Sequence, residues 1–288
     1  MKRIISCNAS DFKEIANNDL KQSIYQSEGR VVMAECAASN ECLVGGVSNA
    51  ESLSAFGADL ILVKGLDVEN PKVSGIQANE IDTIKVMKEL TGRVVGIGLE
   101  VVPNDFQYEN GFRLSEKSLK SALILQPDFI CLSAYRNPNT TSEVIEEAIK
   151  LVRKEYKGLL IINKYGSAKE ILEDKSYKTY VSLGADIITL PMPGSVAGIQ
   201  VRNITPIVNE IKEAGGLVNM SVSTSQEGSN VETIQRLAIN SKEAGSDMYN
   251  FGDAHQNGMA SVDNIMALSI AVRGKRHTYF RMASSIKR

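Results

Sequence analysis

The sequence predicts an α/β fold, a single (β/α)8 TIM barrel with an N-terminal helical extension, and three observations carry the prediction. The chain has 288 residues, enough for the roughly 250 that such a barrel needs. A capped helix, a glycine that stops it and a short β-branched run recur along nearly its whole length, the pattern of helix alternating with strand. The segments FGADLILVKG, LGADIITLPMPG and AGSDMYNFGD read as copies of one unit, with a helix-ending glycine just ahead of an Asp that opens a strand.

In chain order, residues 1–29 form the helical cap. Eight strands follow, over 30–35, 59–64, 93–100, 128–133, 158–163, 185–190, 216–222 and 247–251. Helix starts of the form Ser/Thr-x-x-Glu fall at Ser48 with Glu51, Thr140 with Glu143, Ser167 with Glu170 and Ser229 with Glu232. In each the hydroxyl can take a backbone N–H while the glutamate returns to the cap. Asn79, Ser115, Thr205 with Pro206, and Ser261 supply simpler starts. Gly57, Gly92, Gly158, Gly184, Gly215, Gly245 and Gly274 stand where helices should end in a left-handed residue. Strands alternating with helices imply right-handed parallel crossovers, and apolar strands imply burial on both faces. An open doubly wound sheet is the rival; eight repeated units, and no GxGxxG after the first strand, favour closure. No linker interrupts the rhythm, so residues 1–288 are read as one domain, with 273–288 as a basic C-terminal tail.

The composition, 43% hydrophobic and 23% charged, is that of a globular chain. A net charge of −2 argues against nucleic acid or a membrane surface as a partner. The exception is local: Arg273, Lys275, Arg276, Arg281, Lys287 and Arg288 occur together without an acid, which reads as a solvated tail or a contact between subunits. A homo-oligomer is therefore expected. No apolar run approaches a membrane span and the opening residues lack a signal-peptide core, so a cytoplasmic location is expected. Cys7, Cys36, Cys42 and Cys131 lack CxxC spacing and there are two histidines, His255 and His277. Reduced thiols that fill the core are expected, and no structural zinc site.

Active sites in such barrels lie where strands run into the following helices. Strand ends here carry Glu35 with Cys36, Lys64 with Asp67, Glu100, Asn163 with Lys164, and Asp253 with His255. Glu35, Glu100 and Asp253 could hold Mg2+ or another divalent cation with substrate oxygens, or Glu35 and Glu100 could act as general acid and base. Lys64 and Lys164 each qualify as a Schiff-base lysine, Lys164 preferred because the turn Asn163-Lys164-Tyr165-Gly166 sets a phenol beside it; an ordinary ion pair is the alternative. The loops after strands 7 and 8 bring Ser223, Thr224, Ser225, Gly228, Ser229 and Gly252, which suit a substrate phosphate, with Glu227 opposing it. Pro191-Met192-Pro193-Gly194 after strand 6 could line the mouth as a rigid lip or move as a lid.

Lys64-Gly65-Leu66-Asp67 resembles half of the Asp-x-Lys-x-x-Asp motif of the orotidine-monophosphate decarboxylase superfamily, but Leu62 replaces its first aspartate, so the match is read as chance. The stretch from Val47 to Leu62, with Leu90 to Glu100, resembles an uncharacterised bacterial TIM-barrel family whose members carry labels such as phosphonomutase-like or haloacid-dehalogenase-like. The Asp-x-Asp-x-Thr motif of haloacid dehalogenases is absent, and no catalytic residue is carried over. Together the residues suggest a lyase or isomerase acting on a small, phosphorylated carbonyl or sugar metabolite. The alternative is a barrel that binds an anionic metabolite without turning it over, as a sensor or assembly subunit.

Overall fold

The structure, a computed structural model, describes residues 2–15, 17–103, 105–109, 111–134, 140–254 and 256–288. Helices α1 (Ala9–Glu14) and α2 (Asn17–Tyr25) precede β1 (Val31–Ala37), α3 (Asn49–Ala55), β2 (Leu60–Lys64), α4 (Thr83–Thr91) and β3 (Val94–Glu100). The chain continues through α5 (Glu116–Ile124), β4 (Phe129–Ala134), α6 (Ser142–Glu155), β5 (Leu159–Lys164), α7 (Ala168–Glu173), α8 (Tyr177–Ser182) and β6 (Ile187–Pro191). It ends with α9 (Val201–Glu213), β7 (Leu217–Val222), α10 (Val231–Glu243), β8 (Met248–Phe251) and α11 (Val262–Ala283). The eight strands pair in sequence order, all parallel, and β8 returns to β1 to close the barrel.

The period-two alternation of a strand divides the core into two. Val31, Met33, Leu60, Leu62, Phe129 and Cys131 face the axis, where they meet Ile4, Phe12, Leu20 and Ile24 of the N-terminal segment, which plugs that end. Val32, Ile61, Val63 and Ile130 face outward and pack under the ring of helices. On β3 the axis position is Gly96, and a Cβ there would overlap the Phe129 ring, so this glycine is room for a large neighbour.

The Asp that opens alternate strands has a structural cause. Asp59, Asp128, Asp186 and Asp247 stand ahead of β2, β4, β6 and β8. Each carboxylate accepts the backbone N–H of the preceding strand, at Val32 (2.9 Å), Val95 (2.8 Å), Leu160 (3.0 Å) and Val218 (2.9 Å). Each also meets a cation: Lys88 for Asp128, Arg153 for Asp186, Lys212 for Asp247, and both Arg273 and Arg281 for Asp59. The Asp side chains thus staple alternate strand pairs at the N-terminal end of the barrel, where unpaired N–H groups would otherwise be buried.

That arrangement corrects the reading of 273–288 as a solvated basic tail. Arg273 and Arg281 are buried, with Arg273 Nη1 2.5 Å and Arg281 Nε 2.6 Å from the Asp59 carboxylate. Arg281 also donates to the carbonyls of Ile4 and Cys7, tying the last helix to the first residues. Gly274 (φ 74°) kinks α11 instead of ending it, and Gly158 is not left-handed, α6 stopping instead at an extended Tyr156. Ser48 and Ser167 cap as expected. Thr141 replaces Thr140, and Asn230 replaces Ser229, accepting Thr233 N–H at 3.1 Å. Thr205 and Pro206 lie inside α9, because Gln200 and Asn203 exchange capping bonds and start the helix earlier. Among the described residues no helix is long and apolar enough to cross a membrane. All four cysteines are free. Burial pushes the Cys36 thiol up to about 12, so it stays protonated and unreactive.

Candidate active site at the barrel mouth

Carrying the inward alternation to the C-terminal ends of the strands replaces apolar side chains by polar ones. Glu35 on β1, Lys64 on β2, Glu100 on β3, Ser133 on β4, Asn163 on β5, Ser221 on β7 and Asn250 on β8 are all buried. Lys64 Nζ donates to Ser133 Oγ and lies 3.6 Å from Glu100 Oε1. Its stem needs space beside β3, and Gly98 provides it, since a Cβ there would stand 3.1 Å from Lys64 Cδ. Asn250 Nδ2 donates to Glu35 Oε1 at 2.6 Å and to Ser221 Oγ at 2.9 Å. Ser221 Oγ in turn lies 2.6 Å from Ser223 Oγ, and the Tyr165 hydroxyl bonds both serines.

These groups surround a cavity of about 540 Å³ whose polar lining is Glu35, Asn163, Tyr165, Ser223, Thr224 and Asp253. Burial raises the Glu35 carboxyl to about 7; Lys64 opposes the rise, Asp253 adds to it, and the Asn250 bond opposes it again. A carboxyl poised near neutrality can both give and take a proton at physiological pH. Tyr165 is pushed upward, first by burial and then by the charge of Glu35, so its phenol keeps its proton and can donate. Glu35 and Tyr165 both line the cavity and are linked through Asn250 and Ser221.

The structure gathers only part of the residue set expected from sequence. Glu35 and Asp253 line the cavity, while Glu100 lies beside Lys64 and acts on Glu35 through its charge. Among the described residues no group of three or more His, Cys, Asp or Glu side chains could hold a metal ion. The positive charge beside these carboxyls is Lys64 itself. Lys164 does not share the cavity. It is one residue past the inward Asn163 and turns outward, pairing with Asp174 at 2.7 Å and standing 5.9 Å over the Tyr180 ring. Burial alone would lower its pKa, but the Asp174 bond and the Tyr180 hydroxyl outweigh that and raise it, so it stays a cation rather than a free amine for Schiff-base formation. Asp67 accepts the N–H groups of Glu69 and Asn70 in a turn. His255 lies outside the described residues.

The expected phosphate loops are largely occupied by bonds of their own. Gly252 N–H donates to Val222 O at 2.9 Å, Ser229 N–H to Gln226 O, and Gln226 N–H to Thr224 Oγ1. Ser225 and Gly228 bound a 3-10 turn (Ser225–Gly228) whose carboxylate, Glu227, is fully buried. Of the expected group, Ser223 and Thr224 reach the cavity. Sequence reasoning left out Ser133, Ser221 and Asn250 as site residues and gave Tyr165 only a place beside Lys164; the available signal was the period-two alternation continued from the inward Cys131, Leu217 and Met248.

No curated protein matches the sequence. Among solved structures, the carboxyl transferase domain of Rhizobium etli pyruvate carboxylase with 3-bromopyruvate superposes with a TM-score of 0.54 at 10% identity, over 97% of this chain and 52% of that one. The Rhizobium etli enzyme with acetyl coenzyme A gives 0.54 at 10% identity, over 94% of this chain and 30% of that one. Dihydrodipicolinate synthase from Oceanobacillus iheyensis gives 0.49 at 12% identity, over 92% of this chain and 79% of that one. The chain thus spans about a third to a half of the pyruvate carboxylase chains it resembles, and at these identities the likeness is one of barrel fold. Neither a phosphonomutase nor a haloacid-dehalogenase family is shown by these matches. Residues 5–288 match the family described as a domain of unknown function, DUF7916, and the chain belongs to that family.

Proposed function

We propose that the chain is a lyase- or isomerase-type enzyme that moves a proton at the carbon next to the carbonyl of a small metabolite. The observation that carries this reading is Glu35, a buried carboxyl held near neutrality on the wall of a cavity that the Tyr165 phenol also lines. Glu35 in its ionised form takes the proton, and the C–H electron pair moves into the carbon–carbon bond as the carbonyl becomes an enolate. Tyr165 and Ser223 line the wall where that oxygen charge would develop, and their hydroxyls would donate to it by turning from the bond they now share. Where the deprotonated carbon carries a hydroxyl, moving that hydroxyl's proton to the enolate oxygen and returning the first proton to the former carbonyl carbon gives an isomerase; re-forming the carbonyl while expelling a substituent from the carbon beyond gives a lyase. Asn250 orients Glu35, and Lys64 limits how far burial raises its pKa.

A panel of carbonyl compounds tests the reaction class before the substrate is identified. Protein in D2O is incubated with 2-oxo acids, ketoses and hydroxyaldehydes, and loss of the proton signal beside the carbonyl is followed by NMR. At least one compound should exchange, faster as pH rises through about 7, and Glu35→Gln should slow it by about 10²–10⁴-fold. Exchange in no compound above the Glu35→Gln background would refute the reading.

A further inference from the structure

We infer that the buried side chain of Glu227 occupies the place that a substrate phosphate takes in barrels of this architecture, so that the substrate is unphosphorylated. The inference rests on the reading of the mouth as an enzyme site. Barrels that bind phosphorylated compounds frequently hold the phosphate with backbone N–H groups of the loops after the seventh and eighth strands. Here the Glu227 carboxylate, fully buried, reaches across from the loop after β7 and accepts the N–H of Ala254 in the loop after β8, at 3.0 Å. Gly252 makes room for it: a Cβ there would collide with Glu227 Oε1 and with Ser223. Asn264 at the start of α11 holds the turn in place, donating to the carbonyls of Glu227 at 2.7 Å and Ser229 at 2.8 Å.

The charge of the cavity gives the same answer by a separate route. Its described lining contains two carboxyls, Glu35 and Asp253, and neither lysine nor arginine. Lys164 is committed to Asp174 and Lys64 to Glu100 and Ser133. A phosphate dianion placed there would face two carboxyls, with the nearby Lys64 ammonium already paired to Glu100, at a cost that a low-dielectric pocket enlarges. Asp253 and Thr224 instead suit a carbonyl compound that is neutral or cationic and carries hydroxyl or ammonium donors.

Matched probes decide it. Thermal unfolding and calorimetry are run with inorganic phosphate, formate, dihydroxyacetone and ribose, each sugar compared with its phosphate ester, on the intact chain and on Glu227→Ala. Phosphate should leave the unfolding midpoint of the intact chain unmoved, whereas in Glu227→Ala both phosphate and formate should raise it, by refilling the vacated anion position. Should the variant fail to fold alone, refolding it with formate present reads the same rescue. The inference is overturned if phosphate stabilises the intact chain, if neither ion rescues the variant, or if a phosphate ester binds the intact chain tenfold more tightly than its parent. Deuterium exchange confined to a phosphate ester would overturn it while upholding proton transfer at the mouth. Exchange in no compound would overturn the proton-transfer reading, and the ion titrations would still decide the role of Glu227.

Discussion

Replacing Glu35 with Gln should stabilise the protein above neutral pH while removing its proton-transfer group. In the unfolded chain the carboxyl titrates near its ordinary value of 4.5, and in the native barrel burial raises it to about 7. Between those values the native state holds a proton that the unfolded chain has released, so unfolding free energy falls as pH rises. Below 4.5 both states are protonated and Glu35 contributes no difference; above about 7 the full cost is present. At ~1.4 kcal/mol per pH unit the gap amounts to about 3 kcal/mol. Gln keeps an oxygen for the Asn250 amide and carries no charge to desolvate. Urea unfolding of both proteins at pH 5 and pH 8 should therefore show similar midpoints at the lower pH and a midpoint shifted in favour of Glu35→Gln at the higher. Equal stability at pH 8, or a less stable variant there, would refute the argument that Glu35 is a strained buried carboxyl.

Lys64→Met should cost about 3–5 kcal/mol, measured by chemical denaturation, because the buried Glu100 loses its ammonium partner; with the lysine charge gone, the pH-dependent loss of stability due to Glu35 should also move upward. Lys164→Met should leave deuterium exchange unchanged, since the ammonium pairs with Asp174 outside the cavity; abolished exchange would return Lys164 to the chemistry. Tyr165→Phe should slow exchange by about 10²–10³-fold with the fold intact by circular dichroism. Gly96→Ala should lower the unfolding midpoint, because the added methyl collides with the Phe129 ring in the barrel core.

The eight strands were legible to within about two residues because glycine stops precede most of them and aspartates open alternate ones, and those signals are local. What lay beyond sequence was the direction of side chains. β5 reads Leu159-Leu160-Ile161-Ile162-Asn163-Lys164, apolar on both faces, so no alternation distinguishes the inward Asn163 from the outward Lys164. Only pairing with β4 and β6 fixes that register, and a single step exchanges one face for the other. The Asp59 cluster was hidden for a different reason: Arg273 and Arg281 lie more than two hundred residues away from it, at spacings that look like a surface tail. Glu227 was noticed as an obstacle to phosphate, and its place inside the loops depends on Gly252, whose missing side chain carries no hint of the carboxylate that fills the space.

The two ends of the barrel treat buried carboxylates in opposite ways, and the contrast separates structure from function. At the N-terminal end Asp59 receives two guanidinium groups and a backbone N–H, and although burial alone would raise it, Arg273 and Arg281 hold its carboxyl below the ordinary value. Its charge is therefore an asset at neutral pH, lost only in acid as the carboxyl takes up a proton. At the mouth Glu35 receives one amide bond and stands near two further carboxyls, so its charge is a liability above neutrality. Were Glu35 a structural group, a chain able to build the Asp59 cluster could have been expected to satisfy it in the same way. Neutralising the two should then have opposite signs at pH 8: Asp59→Asn leaves buried guanidinium charge uncompensated and should destabilise by about 3–5 kcal/mol, whereas Glu35→Gln should stabilise. Urea midpoints for the two variants moving in the same direction would show that the mouth is held by the same kind of satisfied pairing as the base, and would remove the physical reason to look for chemistry there.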